Sequence, residues 1–544
     1  MVETEKRWLP HLSSEIMADA RGPELDAYVL ALEGWRRGLT LKWHAKDSED
    51  FQDIKTWFVD KPGKLFSLHS SENSHYFFRT RGDKVTNAAV TVGSDKKLTK
   101  ECLRENNIPT PEGKSFGPEV DDNEIIQYAN KLGYPLVIKP ADGSFGRGVI
   151  TNILSVEEFK DSLKRVRHEM GYDETMVEQY IPGKEYRVYV VGDEAVAAMN
   201  RIPPNIIGDG VHTIRQLIDE KNKAKKQNPR LISCLIDIND DILDSIHFRG
   251  YELESVLEKD KQLFLSEISN ISIGGDPISV TDQLPDSVKE LAVSALHAVP
   301  GLEHGAVDLI IDARDGSGEK GIILELNPTA QIGGLLFPEQ GDANDVPAAI
   351  IDYYFPETKN QKTSGVQLYF DFMDVLQPLV TRSAQRTTVT PYPEGELFAR
   401  KYTIKGDVQD IGYHRGLRKQ AFERFLSGLV FNLENGDIDV VVAGTDLEMV
   451  NDFGNAIWED PERSTVLEVN VSSWDKPMKI GFEVKADLKT QIEEYRRLRE
   501  QLETTEAALK KAEKEHKRYN QSMSWKVTSP LRSVSQLFKK GKSK

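Results

Sequence analysis

The run Pro135-Leu-Val-Ile-Lys-Pro-Ala-Asp-Gly-Ser-Phe-Gly-Arg-Gly-Val149 constrains this chain more than any other stretch. Its apolar start, Leu136 to Ile138, reads as a buried strand. The strand ends in Lys139 and enters a loop carrying Gly143, Gly146 and Gly148. Glycine lets a backbone close over a ligand and turn its N–H groups inward, and a lysine at the strand's end adds a fixed positive charge. Together they suit a triphosphate; the plain alternative is a glycine-rich surface loop. No Gly-Lys-Ser/Thr opens a helix here, so this is not a Walker A loop.

A length of 544 residues points to three or four domains. The net charge of −17 argues against a general nucleic-acid binder. An anionic substrate stays open if local lysines, arginines or a metal ion meet it. The two cysteines, Cys102 and Cys234, lie far apart in no metal-ligand spacing and fit a reducing cytosol. Met1 to Gly22 holds no apolar signal core, and no run approaches membrane-spanning length, so a soluble cytoplasmic protein is expected.

Residues 1–90 read as a small α/β domain to which no chemistry is assigned. Its expected helix, Leu25 to Leu39, spaces Leu25, Val29, Leu30, Leu32 and Trp35 for one face. Residues 91–360 are α/β-patterned throughout, with helices over Leu98–Asn106 and Asp122–Lys131. Strands are expected at 176–181 and 183–190, and a hairpin from Ala306–Ile311 and Gly321–Asn327. Residues 361–394 are a linker, with packing of Asp371–Leu379 on the preceding domain left open.

Residues 395–485 switch to a split βαβ order, as in ferredoxin-like folds. Strands are expected at Leu397–Ile404, Leu429–Leu433, Ile438–Ala443 and Thr465–Val471, with an edge at Gly481–Val484. Helices are expected at Arg415–Leu426 and Leu447–Trp458. Residues 486–522 place Leu488, Tyr495, Leu498, Leu502, Leu509 and Ala512 on a heptad seam. A coiled coil and homo-oligomerisation follow from it. Residues 523–544 form a basic amphipathic tail suited to peripheral contact with an anionic inner membrane face.

Four motifs carry a resemblance. They are Ser94-Asp95-Lys96, Ile138-Lys139-Pro140 with its glycine loop, Val177-Glu-Gln-Tyr-Ile-Pro-Gly-Lys-Glu185 and Leu324-Glu-Leu-Asn-Pro328. In this order they resemble the ATP-grasp ligases. Arg201-Ile-Pro-Pro, Gly208-Asp-Gly-Val-His-Thr213, Asn228-Pro-Arg230 and Asn270 to Asp282 are similar to the ATP-grasp part of the cyanophycin synthetases. No counterpart of their Mur-ligase-like half is seen, so polymerisation of arginine and aspartate is not implied.

The resemblance implies roles. Lys96 and Lys139 would bind the α- and β-phosphates, and Gly143, Ser144, Gly146 and Gly148 would close over them. Glu178, Gln179, Tyr180 and Ile181 would line the adenine, with backbone groups reading its edge and Ile181 on its face. Glu185 would accept from the ribose hydroxyls. Asp308, Glu325 and Asn327 would hold Mg²⁺ (or Mn²⁺) through hard oxygen donors. Strand alternation independently puts Glu325 and Asn327 on one face of an apolar strand, a pattern of sites more than of edges. Arg201 would steady the transferred phosphoryl group. The implied substrates are ATP with a small-molecule carboxylate and amine, joined through an acyl phosphate to give amide, ADP and phosphate.

A second resemblance, to acylphosphatase, rests on Gly406-Asp-Val-Gln-Asp-Ile-Gly-Tyr-His-Arg415 and Ser427-Gly-Leu-Val-Phe-Asn432. It assigns catalysis to Arg415 and Asn432. His414 stands where the family has its phosphate-clamping arginine, and Asp410 where it has glycine. A retained fold with weak or lost activity is expected. The whole reads as an α+β multidomain protein: an ATP-grasp fold, a ferredoxin-like (acylphosphatase-like) domain and a C-terminal coiled coil. The rival functions are an active acylphosphatase with the ATP-grasp region as binding module, and a scaffold for cell-surface glycan synthesis. The latter rests on Ser524 to Arg532, which resembles tails of bacterial glycan glycosyltransferases.

Overall fold

A computed structural model describes residues 8–141, 148–314, 316–317, 320–359, 361, 368–409, 412–458, 465–485, 497–499, 501–506 and 508–512. Two compact units divide the chain. Residues 1–397 and 475–480 make the first, and 398–474 with 481–544 the second.

The first unit begins with helix Pro23–Arg36, buried on nearly every side. Beside it an antiparallel sheet runs in the order Arg386–Thr388, Thr40–His44, Leu65–His69, Ser74–Phe78, Arg81–Gly82. Its first strand corrects the linker expected over 361–394. Residues 386–388 pair with 42–44, and Leu368–Tyr369 pairs with Met478–Lys479. Helix Phe372–Val380 starts on an Asp371 cap and packs Phe372 on Trp43. The signal was present in the aromatic residues. Trp35 donates to the Thr390 carbonyl at 2.7 Å and Tyr28 to that of Phe370 at 3.1 Å. A buried indole N–H or phenol needs such a partner, and residues 368–390 supply it.

Two further antiparallel sheets follow. One runs Gly113–Phe116, Thr175–Gln179, Leu136–Pro140, Ile150–Ile153. Helices Asp122–Leu132 and Val156–Lys164 cover it, burying Ile125, Ala129, Phe159 and Leu163 against Leu136 and Ile138. The other runs Asp276–Ser279, Glu194–Ile202, Gly183–Val191, His304–Asp312, Gly321–Asn327. Val188, Val190, Val307, Leu309 and Ile323 form its core with helix Asp286–His297. The hairpin expected at 306–327 is present, as strands His304–Asp312 and Gly321–Asn327. Between Ile202 and Asp276 sits a separate small core of Ile206, Ile214, Ile218, Ile246, Leu257 and Leu263. Lys221 and Lys225 of its first helix tie it to Asp276 at 2.5 and 2.8 Å.

The second unit is a five-stranded sheet in the order Thr465–Ser473, Phe398–Asp407, Ile438–Gly444, Ser427–Asn432, Phe482–Lys485. Helices Tyr413–Glu423 and Leu447–Ala456 cover one face with Leu417, Ala421, Val450 and Phe453. The ferredoxin-like order and the edge strand are as read. Residues 497–499, 501–506 and 508–512 are helical, with Leu498, Leu502 and Leu509 exposed. The rest of the coiled coil and the basic tail lie outside the described residues. Among those described, no helix is long and apolar enough to cross a membrane.

A polar thread crosses the N-terminal sheet. Asp50 meets His44 Nδ1 at 3.2 Å, and Ser67 Oγ lies 2.8 Å from His44 Nε2 and 2.9 Å from His69 Nε2. His304, fully buried, sits between the hydroxyls of Tyr189 and Tyr354, each at 3.2 Å. Burial pushes His44 down to about 4 and His304 down to about 3. An unfolded histidine titrates near 6.5. Below that pH the unfolded chain takes up protons that the folded chain refuses. Stability held above pH 6.5 is therefore lost on acidification towards pH 4. The expected loss from His44 alone is about 3 kcal/mol. Urea midpoints at pH 7 and 4.5 check this: His44→Gln should flatten the dependence, and an unchanged slope would exclude His44 as its source.

Candidate functional site

The site is built first by strand register. Asp308 lies opposite Arg187 on one side and Glu325 on the other, while Asn327 lies opposite Ala306. Residues two apart on a strand share a face, so these side chains meet on one surface. Arg187 grips Asp308 with both forks: Nε to Oδ1 and Nη2 to Oδ2, each 2.7 Å. Arg201 Nη2 reaches Asp308 Oδ2 at 3.1 Å and also pairs with Glu185. Asn327 Nδ2 donates to Asp308 and Glu325, both at 3.2 Å. Asp308 is 1% exposed. Burial alone would raise its pKa, but Arg187 and Arg201 outweigh it and hold the carboxyl well below the usual range.

The structure thus brings together the three proposed metal ligands and Arg201. Among the described residues, no group of three or more His, Cys, Asp or Glu is arranged around a metal position. Two carboxylates and the Asn327 amide oxygen are hard donors. They fit a magnesium ion whose remaining ligands are phosphate oxygens and water. Glu185 departs from expectation: its carboxylate is paired with Arg201, at the edge of this cluster, and not left open for a ribose.

A second charge centre lies on the four-stranded sheet. Glu178, 3% exposed, faces Lys139 and Lys100, each 2.7 Å from one of its oxygens. The Lys100 contact is a charge contact without an aligned hydrogen bond. Burial pushes the Lys100 ammonium down to about 8, against the pull of Glu178. Burial raises the Glu178 carboxyl, and the two lysines bring it below its ordinary value. Lys100 was not among the expected residues. It stands one helical turn after Lys96 on helix Lys96–Glu105, and that i,i+4 spacing was the available signal. Lys96 itself reaches the Ala141 carbonyl at 3.4 Å, where the glycine loop begins.

The adenine-lining expectation needs correction at two backbone groups. The N–H of Gln179 donates to Glu112 O at 2.8 Å and that of Tyr180 to Pro135 O at 3.0 Å, so neither is free to read a base edge. Sheet pairing claims them. Ile181 is buried. Gly148 has φ +73° and packs where a Cβ would sit 2.8 Å from the Pro140 ring. Gly143, Ser144 and Gly146 lie outside the described residues.

Beside the Asp308 cluster is a pocket lined by Arg187, Arg201, Arg230, Asn270, Ser272 and Gln331. Sequence reading quoted Arg230 only within a motif and passed over Arg187. Arg187 stands two residues after Glu185 on one strand face, the same cue that picked out Glu325 and Asn327.

In the second unit Asn432 is half-buried at the end of its strand, and His414 is half-buried in the first turn of helix Tyr413–Glu423, which precedes that strand. Arg415 is exposed. Gln409 donates to Leu433 O at 2.9 Å and Asp437 O at 2.6 Å, tying the loop to the turn after Asn432. Tyr413 is buried with its hydroxyl on Ile457 O. Asp410 lies outside the described residues.

Residues 93–227 match the RimK-like ATP-grasp domain, and residues 400–484 match acylphosphatase. The chain therefore joins an ATP-grasp-like domain to an acylphosphatase-like one. Among curated relatives, cyanophycin synthetase of Synechocystis sp. is 32% identical over 272 residues, 49% of this chain and 31% of that protein. The glutathione biosynthesis bifunctional protein GshAB of Enterococcus faecalis is 27% identical over 351 residues, 63% of this chain and 44% of that one. A bifunctional glutathione synthetase structure from Pasteurella multocida shows 26% identity and a TM-score of 0.42, covering 54% of this chain and 41% of that one. The chain spans less than half the length of these relatives.

Removing Glu178 would leave two buried ammonium groups facing each other. Glu178→Gln is expected to destabilise the first unit by about 3–5 kcal/mol, with much of this regained in the Glu178→Gln, Lys100→Met double variant. Urea unfolding of the three proteins checks the pairing; equal midpoints would exclude it.

Proposed function

We propose that this chain is an ATP-dependent carboxylate–amine ligase working through an acyl phosphate. The observation that carries the reading is the Asp308–Glu325–Asn327 cluster, held by Arg187 and Arg201 beside an arginine-lined pocket. Lys139, on strand Leu136–Pro140, and Lys100, on helix Lys96–Glu105, offer two ammonium charges to a polyphosphate. Magnesium bound with ATP at Asp308, Glu325 and Asn327 would withdraw charge from the phosphate oxygens.

The substrate carboxylate attacks the γ-phosphorus, and the bond to the ADP oxygen breaks. The amine then attacks the acyl carbon, phosphate leaves with its bridging oxygen, and the amine proton passes to solvent. Arg201, beside Asp308, would steady the charge that develops in both steps. A preorganised guanidinium there lowers the barrier without reorganising. Positioning of the two substrates supplies the remainder.

Lys139→Ala and Glu325→Ala are expected to weaken Mg-ATP binding about tenfold or more, as loss of a charge-assisted contact implies. Calorimetry checks this, and unchanged affinity in both variants would sink the assignment. ADP and phosphate are the expected products over panels of amino acids, peptides and sugar acids; AMP and pyrophosphate would reject the acyl-phosphate route.

The acylphosphatase match favours a second activity, hydrolysis of acyl phosphates. It is expected to be feeble. A guanidinium clamps two phosphate oxygens at any cellular pH, and a histidine in its place does neither reliably. The retained Asn432 would orient water, and the domain's role is then to hold an acyl phosphate or carboxylate for the ligase. Benzoyl phosphate hydrolysis by the full chain should lie close to the uncatalysed rate. Robust turnover, lost in both Arg415→Ala and Asn432→Ala, would instead establish a hydrolase.

A further inference from the structure

The N-terminal region, to which sequence reading assigned no chemistry, grips one loop of the ligase at several points. Helix Pro23–Arg36 contributes Asp26, 0% exposed, whose Oδ1 accepts from the backbone N–H groups of Ile332 at 3.0 Å and Gly333 at 3.2 Å. Arg79 meets its other oxygen at 3.4 Å. Thr80 donates to Ala330 O at 3.0 Å, and Trp8 donates to Pro338 O at 3.1 Å. The loop so held begins just after Asn327 and carries Gln331, which lines the pocket.

Gln331 in turn holds a cation. Arg230 Nη2 donates to Gln331 Oε1 at 2.7 Å, and Nη1 reaches Cys234 Sγ at 2.8 Å and Ser233 Oγ at 3.4 Å. Its stem lies on the same loop: a Cβ on Gly333 would sit 2.6 Å from Arg230 Cδ. Arg230 is 5% exposed. The three pocket arginines therefore differ. Arg187 and Arg201 contact carboxylates of the protein, whereas no side-chain hydrogen bond of Arg230 goes to a carboxylate. Asp26 balances Arg230 only through space, without touching it.

We propose that Asp26 is a positioning residue for the substrate pocket: it fixes the 330–336 loop, and through Gln331 that loop aims Arg230 at an anionic group of the substrate. The inference rests on the ligase reading for its functional half alone. A buried guanidinium with no carboxylate bonded to it is a receptor for a carboxylate in a way that one already paired is not. The substrate class is a molecule with a carboxylate besides the one being activated, such as an amino acid or short peptide. The N-terminal region thereby shapes the pocket without lining it.

The test uses the full chain with Asp26→Asn, Gln331→Ala and Arg230→Met. In hydrogen exchange, Asp26→Asn should raise rates about tenfold or more in residues 330–336 and 228–234, with helix Pro23–Arg36 unchanged. Exchange that rises uniformly, or only in that helix, would mean a purely structural role and overturn the proposal; so would no change at 330–336. In ADP release, all three variants should raise KM for one non-nucleotide substrate about tenfold, leaving kcat and KM for ATP within about threefold. Gln331→Ala removes the link without disturbing the buried carboxylate, so it decides the case if Asp26→Asn folds poorly. A fall in kcat with unchanged substrate KM would overturn the positioning role. Failure of wild-type Mg-ATP binding would reject the ligase reading, and exchange would still decide whether Asp26 controls the loop.

Discussion

A carboxylate sealed from water cannot stay ionised alone, and Asp308 does so because two guanidiniums contact it. Much of the first unit serves that arrangement. Arg187 comes from the strand on one side, and Arg201 from the strand beyond it. Glu325 and Asn327 come from the strand on the other side. The hydrophobic layer of Val188, Val307, Leu309 and Ile323 fixes the register that brings them together. A slip of one residue in any of these strands would turn the charged face into the core. The geometry of the charged cluster therefore depends on the packing of apolar side chains outside it.

What the sequence made legible was chiefly periodicity. Glu325 and Asn327 were readable because a polar pair on alternate positions of an apolar strand is conspicuous, while Asp308 was named by the resemblance and joined to them through the expected hairpin. The ferredoxin-like order of the second unit was readable from strand and helix lengths. The role of 368–390 was not, because it depends on where the N–H groups of Trp35 and the hydroxyl of Tyr28 find acceptors in the distant chain. Nor was the commitment of the Gln179 and Tyr180 amides, since sheet neighbours far apart in sequence decide it. Lys100 and Arg230 escaped for a different reason. Each is an ordinary basic residue until a partner 78 positions away (Glu178) or 101 positions away (Gln331) gives it a direction.

The two charge centres differ in how they await a nucleotide. At Glu178 the lysines already have a counter-charge, so a phosphate must compete with an internal carboxylate for them. A ligand carrying several negative charges wins that contest more readily than one carrying a single charge. The same logic at Asp308 favours a cation only when it arrives with anionic oxygens that satisfy the displaced arginines. Under the proposed function, both centres would favour the metal–polyphosphate pair over either component.

Residues 475–480 belong to the first unit although the chain before and after them belongs to the second. Met478–Lys479 supplies a parallel partner to Leu368–Tyr369, and Lys479 meets Asp371 at 2.5 Å. The polypeptide consequently crosses between units three times, not once. A gene cut after residue 397 would delete a strand of the first unit together with the second unit. A cassette carrying only 398–485 would bring along a foreign strand with no sheet to join. Such interleaving means that no single cut in the chain parts the two units cleanly.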